Sequence, residues 1–362
     1  ITKKNNFDIL KEYIKFREKF GYRILTFDVD SIIENTEGYD DPEKLRNFIK
    51  SMYLRHGIEY VFIVGDVNDV PVRYAYENSF WHPGYLPTTL YYADLNGSWD
   101  GDKDKIYGER YSDSVDAYPD IIVGWLPTSN PDIISNYIEK LKKIESPEIS
   151  QFSGGNFLFA GSSIVNSYDG YGPRVLEWIE DNAFTDTQNI YKLYYPDSGS
   201  FSGKEWNGDE ELNKITLSNN LNTGKYIGLI HFDHGAYTLL GAGWLNGQIF
   251  NTFDINTLNS QTPFFFLSPS CDIGSFDQEG IVEEWLENSS GPVVSIVNTR
   301  TGWTSQDYQL LSILHALVKN KCQNIGIAWK NAMTGDPYFR KVFTIIGDPL
   351  TRIWVKKPES LR

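Results

Sequence analysis

The feature that most constrains this chain is a series of short, continuous apolar runs. They read YVFIV at 60–64, DIIVG at 120–124, FLFAG at 157–161, YIGLIHF at 226–232, FFFL at 264–267, VVSIV at 293–297 and VFTII at 342–346. A strand with one wet face alternates apolar and polar residues; these runs do not, so each is expected to be buried on both faces. Helix-period segments lie between them. Leu45, Phe48, Ile49, Met52 and Tyr53 make one apolar stripe, opened by Asp41 as cap with Pro42 at the first position and ended by Gly57. YRILTFDV at 22–29 reads as a further strand before that helix. More helices are expected at 131–146, 174–181, 209–218, 279–287, 305–319 and 324–332. Alternating strands and helices of this kind build an α/β fold, with mainly parallel sheets flanked by helices. The polar, Gly-containing stretch SPEISQFSGGN marks a boundary, giving an N-terminal α/β section at 1–150 and a second at 151–362.

Composition narrows the partners. The 362 residues carry a formal net charge of −15, which disfavours nucleic acid and anionic membrane surfaces. No run is long enough for a transmembrane helix, so membrane insertion is not expected. Two Cys and no CxxC pair exclude a disulfide scaffold and give no zinc signature. No signal peptide is visible, and the chain begins at Ile1 rather than Met, which suggests a trimmed N-terminus.

Two of the apolar runs end on reactive residue types. One climbs to His234-Gly235 and the next to Cys271. Sites in open parallel sheets form beyond the carboxyl ends of strands, near a topological switch point. If the two strands are neighbours, His234 and Cys271 converge on one rim. A Cys–His pair there suffices for nucleophilic acyl transfer, with Gly235 and Cys271 offering backbone N–H groups as an oxyanion hole. A packed thiol and a structural His are the bland alternatives. HFDH at 231–234 also allows a metal reading through His231 and His234, but strand alternation sends the two side chains to opposite faces. Cys322, with no His beside it, reads as packing.

An acidic loop, DLNGSWDGDKDKIYGE, holds Asp94, Asn96, Asp100, Asp102, Asp104 and Glu109. Alternate carboxylates in a Gly-containing loop suit a hard cation such as calcium, although the spacing is not that of an EF-hand. The alternative is a solvated acidic loop.

The His-Gly and Cys blocks resemble the caspase-like cysteine peptidases, and further blocks resemble the gingipain family within them. These are YVFIVGDVNDVPVR, the LYYADLNGSWDGDKDKIYGE segment, YPDIIVGWLPTSN with Trp125 where the family has Arg, SIVNTRTGW, and the terminal FTIIGDPLTRIW. The resemblance implies a caspase-like fold of two side-by-side subdomains and a secreted endopeptidase acting on peptide or protein substrates. It also implies Cys271 as nucleophile, His234 as general acid/base, a structural calcium in the acidic loop, and a precursor with a propeptide. Family members cut after Arg or Lys. They carry a Glu after the FLFAG-type strand that orients the His; this chain has AGSSIVNSYDGYG instead, with Asp169 its only acid. Asp169 falls where the family's P1-pocket acid lies. Trp303 offers an indole face for a guanidinium, and Asp307 is a second candidate acid. The reading expected is therefore a cysteine endopeptidase preferring Arg over Lys at P1. A catalytically silent binding or secretion-associated homologue of the same fold is the alternative.

Overall fold

The computed structural model describes residues 1–78, 83–146, 155–164, 170–185, 187–195, 200–201, 204–205, 207–241 and 248–356. Nine strands form one hydrogen-bonded sheet, numbered here in chain order: β1 Tyr60–Val64, β2 Ile122–Leu126, β3 Phe157–Gly161, β4 Ile190–Tyr194, β5 Glu210–Glu211, β6 Gly228–Phe232, β7 Phe265–Ser268, β8 Val294–Asn298 and β9 Phe343–Gly347. Their spatial order is β1-β2-β9-β8-β7-β6-β3-β4-β5. All pairings are parallel except β8 with β9. The sheet thus consists of two parallel blocks, β1-β2-β9 and β8 to β5, meeting at one antiparallel seam. Residues 1–150 supply one edge, and β9 crosses from the far end of the chain to join it.

The continuous apolar runs are explained by two cores, one on each face. Leu158 and Ala160 of β3 point into one and Phe157 and Phe159 into the other, with all four at 0% exposure. The first core is covered by α1 Phe7–Glu18, α2 Asp41–His56 and α3 Pro131–Glu145. The second is covered by α4 Tyr171–Ala183, α5 Asp307–Val318 and α6 Ile325–Asn331. Among the described residues no helix is long and apolar enough to cross a membrane.

Local signals account for the helix ends. The cap of α2 is Asp40, whose side chain accepts from the Glu43 N–H, one residue earlier than the sequence suggests; Gly57 closes the helix with φ +63°. The helix expected at 209–218 is Lys214–Asn222, started by an Asn213 capping box, and Glu210–Glu211 before it form β5; β4 at Ile190–Tyr194 has no counterpart in the sequence expectation. Residues 22–27 do not form the expected strand. Thr2 bridges both Val64 and Asp28, so Ile1–Thr2 takes the free edge of β1 that 22–27 would have needed. The hairpin of Arg73–Glu77 with Gly84–Thr88 carries no signal strong enough to be read beforehand.

The terminal Gly-Asp-Pro block is structural. Asp348 and Glu145, both fully buried, clamp the Arg17 guanidinium at 2.6 and 2.8 Å, tying α1, α3 and the end of β9 together. A buried charge is tolerated when paired and hydrogen-bonded in this way.

Candidate active site

The chain leaves β3 outward through β4 and β5, then returns to the other side of β3 as β6 and continues through β7 and β8. The switch point is therefore between β3 and β6, and the two adjacent strand ends beyond it carry the reactive residues. His234 follows β6 by two residues and Cys271 follows β7 by three. β6 and β7 are hydrogen-bonded neighbours.

Each side chain is held by its surroundings. His234 Nε2 lies 2.8 Å from the Ile164 carbonyl, in the loop after β3. A carbonyl only accepts, so Nε2 carries a proton. The acceptor holding Nε2 is a backbone oxygen, which residue types do not mark. The buried Asp233 accepts at 2.6 Å from both Ser162 Oγ and the His234 N–H, joining the His234 turn to the same loop.

Cys271 is half-buried. Gly302 donates its N–H to Sγ at 3.2 Å, and Sγ reaches the Gly302 carbonyl at 3.7 Å. Burial pushes the thiol up, the Gly302 N–H draws it back, and the Asp272 carboxylate adds to the rise. Asp272 has φ +59°, a left-handed conformation unusual for a non-Gly residue, at the turn directly after the thiol. Gly235 packs on this turn: a Cβ there would stand 2.6 Å from Ile273 and 3.0 Å from the Cys271 carbonyl, so the close approach needs glycine.

His231 is placed apart from His234 in role. Its ring is 2% exposed, with Nδ1 at 2.9 Å from Ser268 Oγ and 3.1 Å from Ser270 Oγ. Ser268 Oγ donates to Ser270 Oγ, which donates to the Asp233 carbonyl. The chain of hydrogen bonds links β6, the Cys271 loop and the His234 turn. Among the described residues the groupings able to hold an ion are acidic, and neither histidine belongs to one.

Burial, and then the neighbouring His234, pull the His231 pKa down to about 3. The unfolded ring titrates at about 6.5, so between these values the unfolded chain binds a proton that the folded one does not, and stability falls as pH falls through this window. Relative to His231→Asn, the wild type is expected to lose ~3 kcal/mol between pH 7 and pH 4, read from urea unfolding midpoints at each pH. Parallel losses in the two proteins would contradict a buried neutral ring.

The substrate-facing candidates are distributed as follows. Trp303 is 46% exposed at the mouth beside Gly302. Asp307 is the first residue of α5; burial raises its carboxyl, while the Tyr308 N–H and then the Arg174 charge draw it back. Asp169 lies outside the described residues. Trp125, which stands at the family's Arg position, is fully buried and donates Nε1–H to the Gly65 carbonyl at 2.6 Å. Cys322 packs against the second core, far along the chain from the rim.

The acidic loop is only partly brought together. One carboxylate oxygen each from Asp100, Asp102 and Asp113 lies within 4.8 Å of the others, and the same holds for Asp102, Asp104 and Glu109. Asp113 escaped the sequence reading because it lies beyond the quoted loop. It accepts from the N–H groups of Gly101, Gly108 and Glu109. Glu109 Oε2 is buried without a hydrogen-bond partner; burial first, and then the charges of Asp104, Asp102 and Asp113, raise its carboxyl. These residues fit a hard cation. Asp94 and Asn96 stand apart from both groupings. Asp94 is fully buried, accepts from the Gly97 N–H, and is pushed up to about 6 by burial, with Asp116 and Asp120 adding. Asn96 donates to Asp120.

A mainly parallel sheet with His-Gly and Cys on adjacent strand ends is the architecture of the caspase-like cysteine peptidases. The model of peptidase family C25 matches residues 1–354, and the chain belongs to that family, the gingipains. Among solved structures it is similar to the complex of Porphyromonas gingivalis RgpB pro- and mature domains, with a TM-score of 0.76 and 16% identity over 99% of this chain and 80% of that one. It is also similar to the Arg-specific cysteine proteinase gingipain R (RgpB), with a TM-score of 0.74 and 16% identity over 99% of this chain and 78% of that one. No curated protein matches it in sequence. The chain is a cysteine peptidase.

Proposed function

We propose that the chain is an endopeptidase working through a Cys271–His234 dyad and preferring a basic P1 residue, Arg above Lys. One observation carries the reading: His234 and Cys271 follow the ends of two adjacent, hydrogen-bonded parallel strands, with the His234 ring anchored through Nε2 to the Ile164 carbonyl. Because burial keeps the resting thiol protonated, the proton leaves Sγ as attack begins and is taken by Nδ1. Sγ bonds to the scissile carbonyl carbon, and the oxyanion is received by the N–H groups of Gly235 and Cys271. Nδ1–H then protonates the departing amine as the C–N bond breaks. Water, giving its proton to Nδ1, hydrolyses the thioester.

P1 recognition is assigned to Trp303 and Asp169. The exposed Trp303 indole supports stacking on a guanidinium. Asp307 already faces Arg174, which weakens its case as the pocket acid. Arg specificity belongs to one of the similar solved structures and is carried here as part of the proposal. So are secretion and activation from a precursor with a propeptide; a pro-domain occurs in the other. Peptides varied at P1, assayed on wild type and Cys271→Ala, test the reading: basic residues should lead and Cys271→Ala should be silent.

Calcium in the acidic loop is the second part of the proposal, held by Asp100, Asp102, Asp104, Glu109 and Asp113. Its role would be structural, neutralising carboxylates that otherwise repel. Chelation with EGTA is expected to lower the melting temperature by a few degrees, and added calcium to restore it, because an ion bound only by the folded state stabilises it by mass action. An unchanged melting curve, with no calcium in the purified protein, would leave a solvated loop.

A further inference from the structure

At the carboxyl end of β8 the side chains of Asn298 and Gln306 form a reciprocal amide pair, both at 0% exposure. Asn298 Nδ2 donates to Gln306 Oε1 at 2.8 Å, and Gln306 Nε2 donates to Asn298 Oδ1 at 2.9 Å. Each amide then reaches outward. Asn298 Nδ2 donates at 2.6 Å to the carbonyl of Pro269, two residues before Cys271. Gln306 Oε1 accepts at 3.1 Å from the Trp303 N–H, and Nε2 donates at 3.1 Å to Gln309 Oε1, whose own amide reaches the Thr334 carbonyl. Both donors and both acceptor positions of the Gln306 amide are used.

Between these anchors sits Gly302, whose N–H is the donor to Cys271 Sγ. It packs directly on the Asn298–Pro269 bond: a Cβ at 302 would stand 1.9 Å from the Pro269 oxygen and 2.5 Å from Asn298 Nδ2. The loop carrying the nucleophile and the loop carrying Gly302 and Trp303 are therefore bolted together by buried amides. Their only charge-free task that apolar side chains could not perform is to fix the direction of backbone groups.

We infer that Gln306 is a positioning residue for the nucleophile: by pinning the Trp303 peptide it aims the Gly302 N–H at Cys271 Sγ and sets the thiol's reactivity. The inference rests on the reading of Cys271 as the attacking group. A hydrogen bond from an N–H to a developing thiolate is a charge-assisted one, so losing its aim should slow thiolate chemistry by about tenfold or more. Gln306→Met removes all four bonds at nearly constant volume. Gln306→Glu keeps the acceptors but turns both donor positions into oxygen facing Asn298 Oδ1 and Gln309 Oε1. Acidification gives the carboxyl one O–H to donate, which restores part of the ladder.

The test is the rate of iodoacetamide alkylation at Cys271, mapped by mass spectrometry from pH 5 to 9, beside kcat/KM and thermal unfolding. Gln309→Met is the control: it removes a buried amide of the same ladder and leaves the bonds to Trp303 and Asn298. The expected result has three parts. Gln306→Met alkylates Cys271 about tenfold more slowly than wild type at neutral pH, with the midpoint moved upward. Gln309→Met stays within about twofold at a similar loss of melting temperature. The deficit of Gln306→Glu relative to wild type shrinks as pH falls. Wild-type alkylation rates in Gln306→Met, with only stability reduced, would overturn the assignment. If Gln306→Met does not fold, a pH-independent deficit in the isosteric Gln306→Glu would overturn it equally. Wild-type Cys271 reacting no faster than Cys322 would remove the nucleophile reading and the inference with it, whereas a wild-type excess retained by the Gln306 variants would remove the inference alone.

Discussion

Cys271→Ala is expected to retain less than about a hundredth of wild-type peptide turnover while unfolding at an unchanged temperature, since loss of an attacking group costs several orders of magnitude. The side chain is half-buried in a turn whose backbone contacts do not depend on sulfur: the Asp272 N–H donates to the Arg300 carbonyl and the Gly274 N–H to the Asn298 carbonyl. Folding should therefore survive. His234→Ala should cost about as much, because a nucleophile and its base act as a unit, and combining the two should add little. Cys322→Ala should cost almost nothing, as its Sγ donates at 3.4 Å to the Asn324 carbonyl, its one polar partner among the described residues, and its side chain packs on the second core. Turnover above about a hundredth of wild type in Cys271→Ala would sink the nucleophile assignment.

The second large effect concerns P1. Peptides identical except for Arg, Lys, Phe or Asp at P1 are expected to rank with Arg first and Lys next, and with Phe and Asp far behind. A carboxylate holds Arg through paired, directional hydrogen bonds but meets Lys as a point charge, which sets the order of the two basic residues. Asp169→Asn should selectively remove Arg and Lys cleavage, by about a hundredfold or more if the carboxylate is desolvated when substrate fills the pocket. Asp307→Asn should leave the ranking in place, because Asp307 already interacts with Arg174 at the start of α5. The reverse outcome, with Asp307→Asn losing Arg cleavage and Asp169→Asn unaffected, would move the pocket acid onto α5. If wild type cleaved Phe peptides as well as Arg peptides, the exposed Trp303 would line an apolar slot instead.

Residue order alone determined seven of the nine strands of the sheet, because a strand covered on both faces has to be apolar throughout; β4 and β5, at the far edge, carry no such run. FLFAG and DIIVG could hardly be anything else. It also determined which residues stand at the strand ends, since His234-Gly235 and Cys271 close two such runs, and with them the peptidase family. Weakly amphipathic elements such as the hairpin of Arg73–Glu77 and Gly84–Thr88 were not legible, because their pairing and burial come from neighbours remote in sequence. Nor was the fate of 22–27, where propensity pointed to a strand but Ile1–Thr2 had already taken the edge of β1.

The site shows the same division. Residue types could name a thiol and an imidazole, but not what holds them. The ring of His234 is held by the carbonyl of Ile164, and the thiol of Cys271 by the N–H of Gly302. Every residue but proline carries those two groups, so no letter of the sequence marks the ones that matter; only the crossing of loops from β3, β6, β7 and β8 at one rim selects them. Asn298 and Gln306 are eight positions apart, and their amides meet because a strand end and a turn place them face to face, both fully buried. There an unpaired amide is costly, and each must find the other.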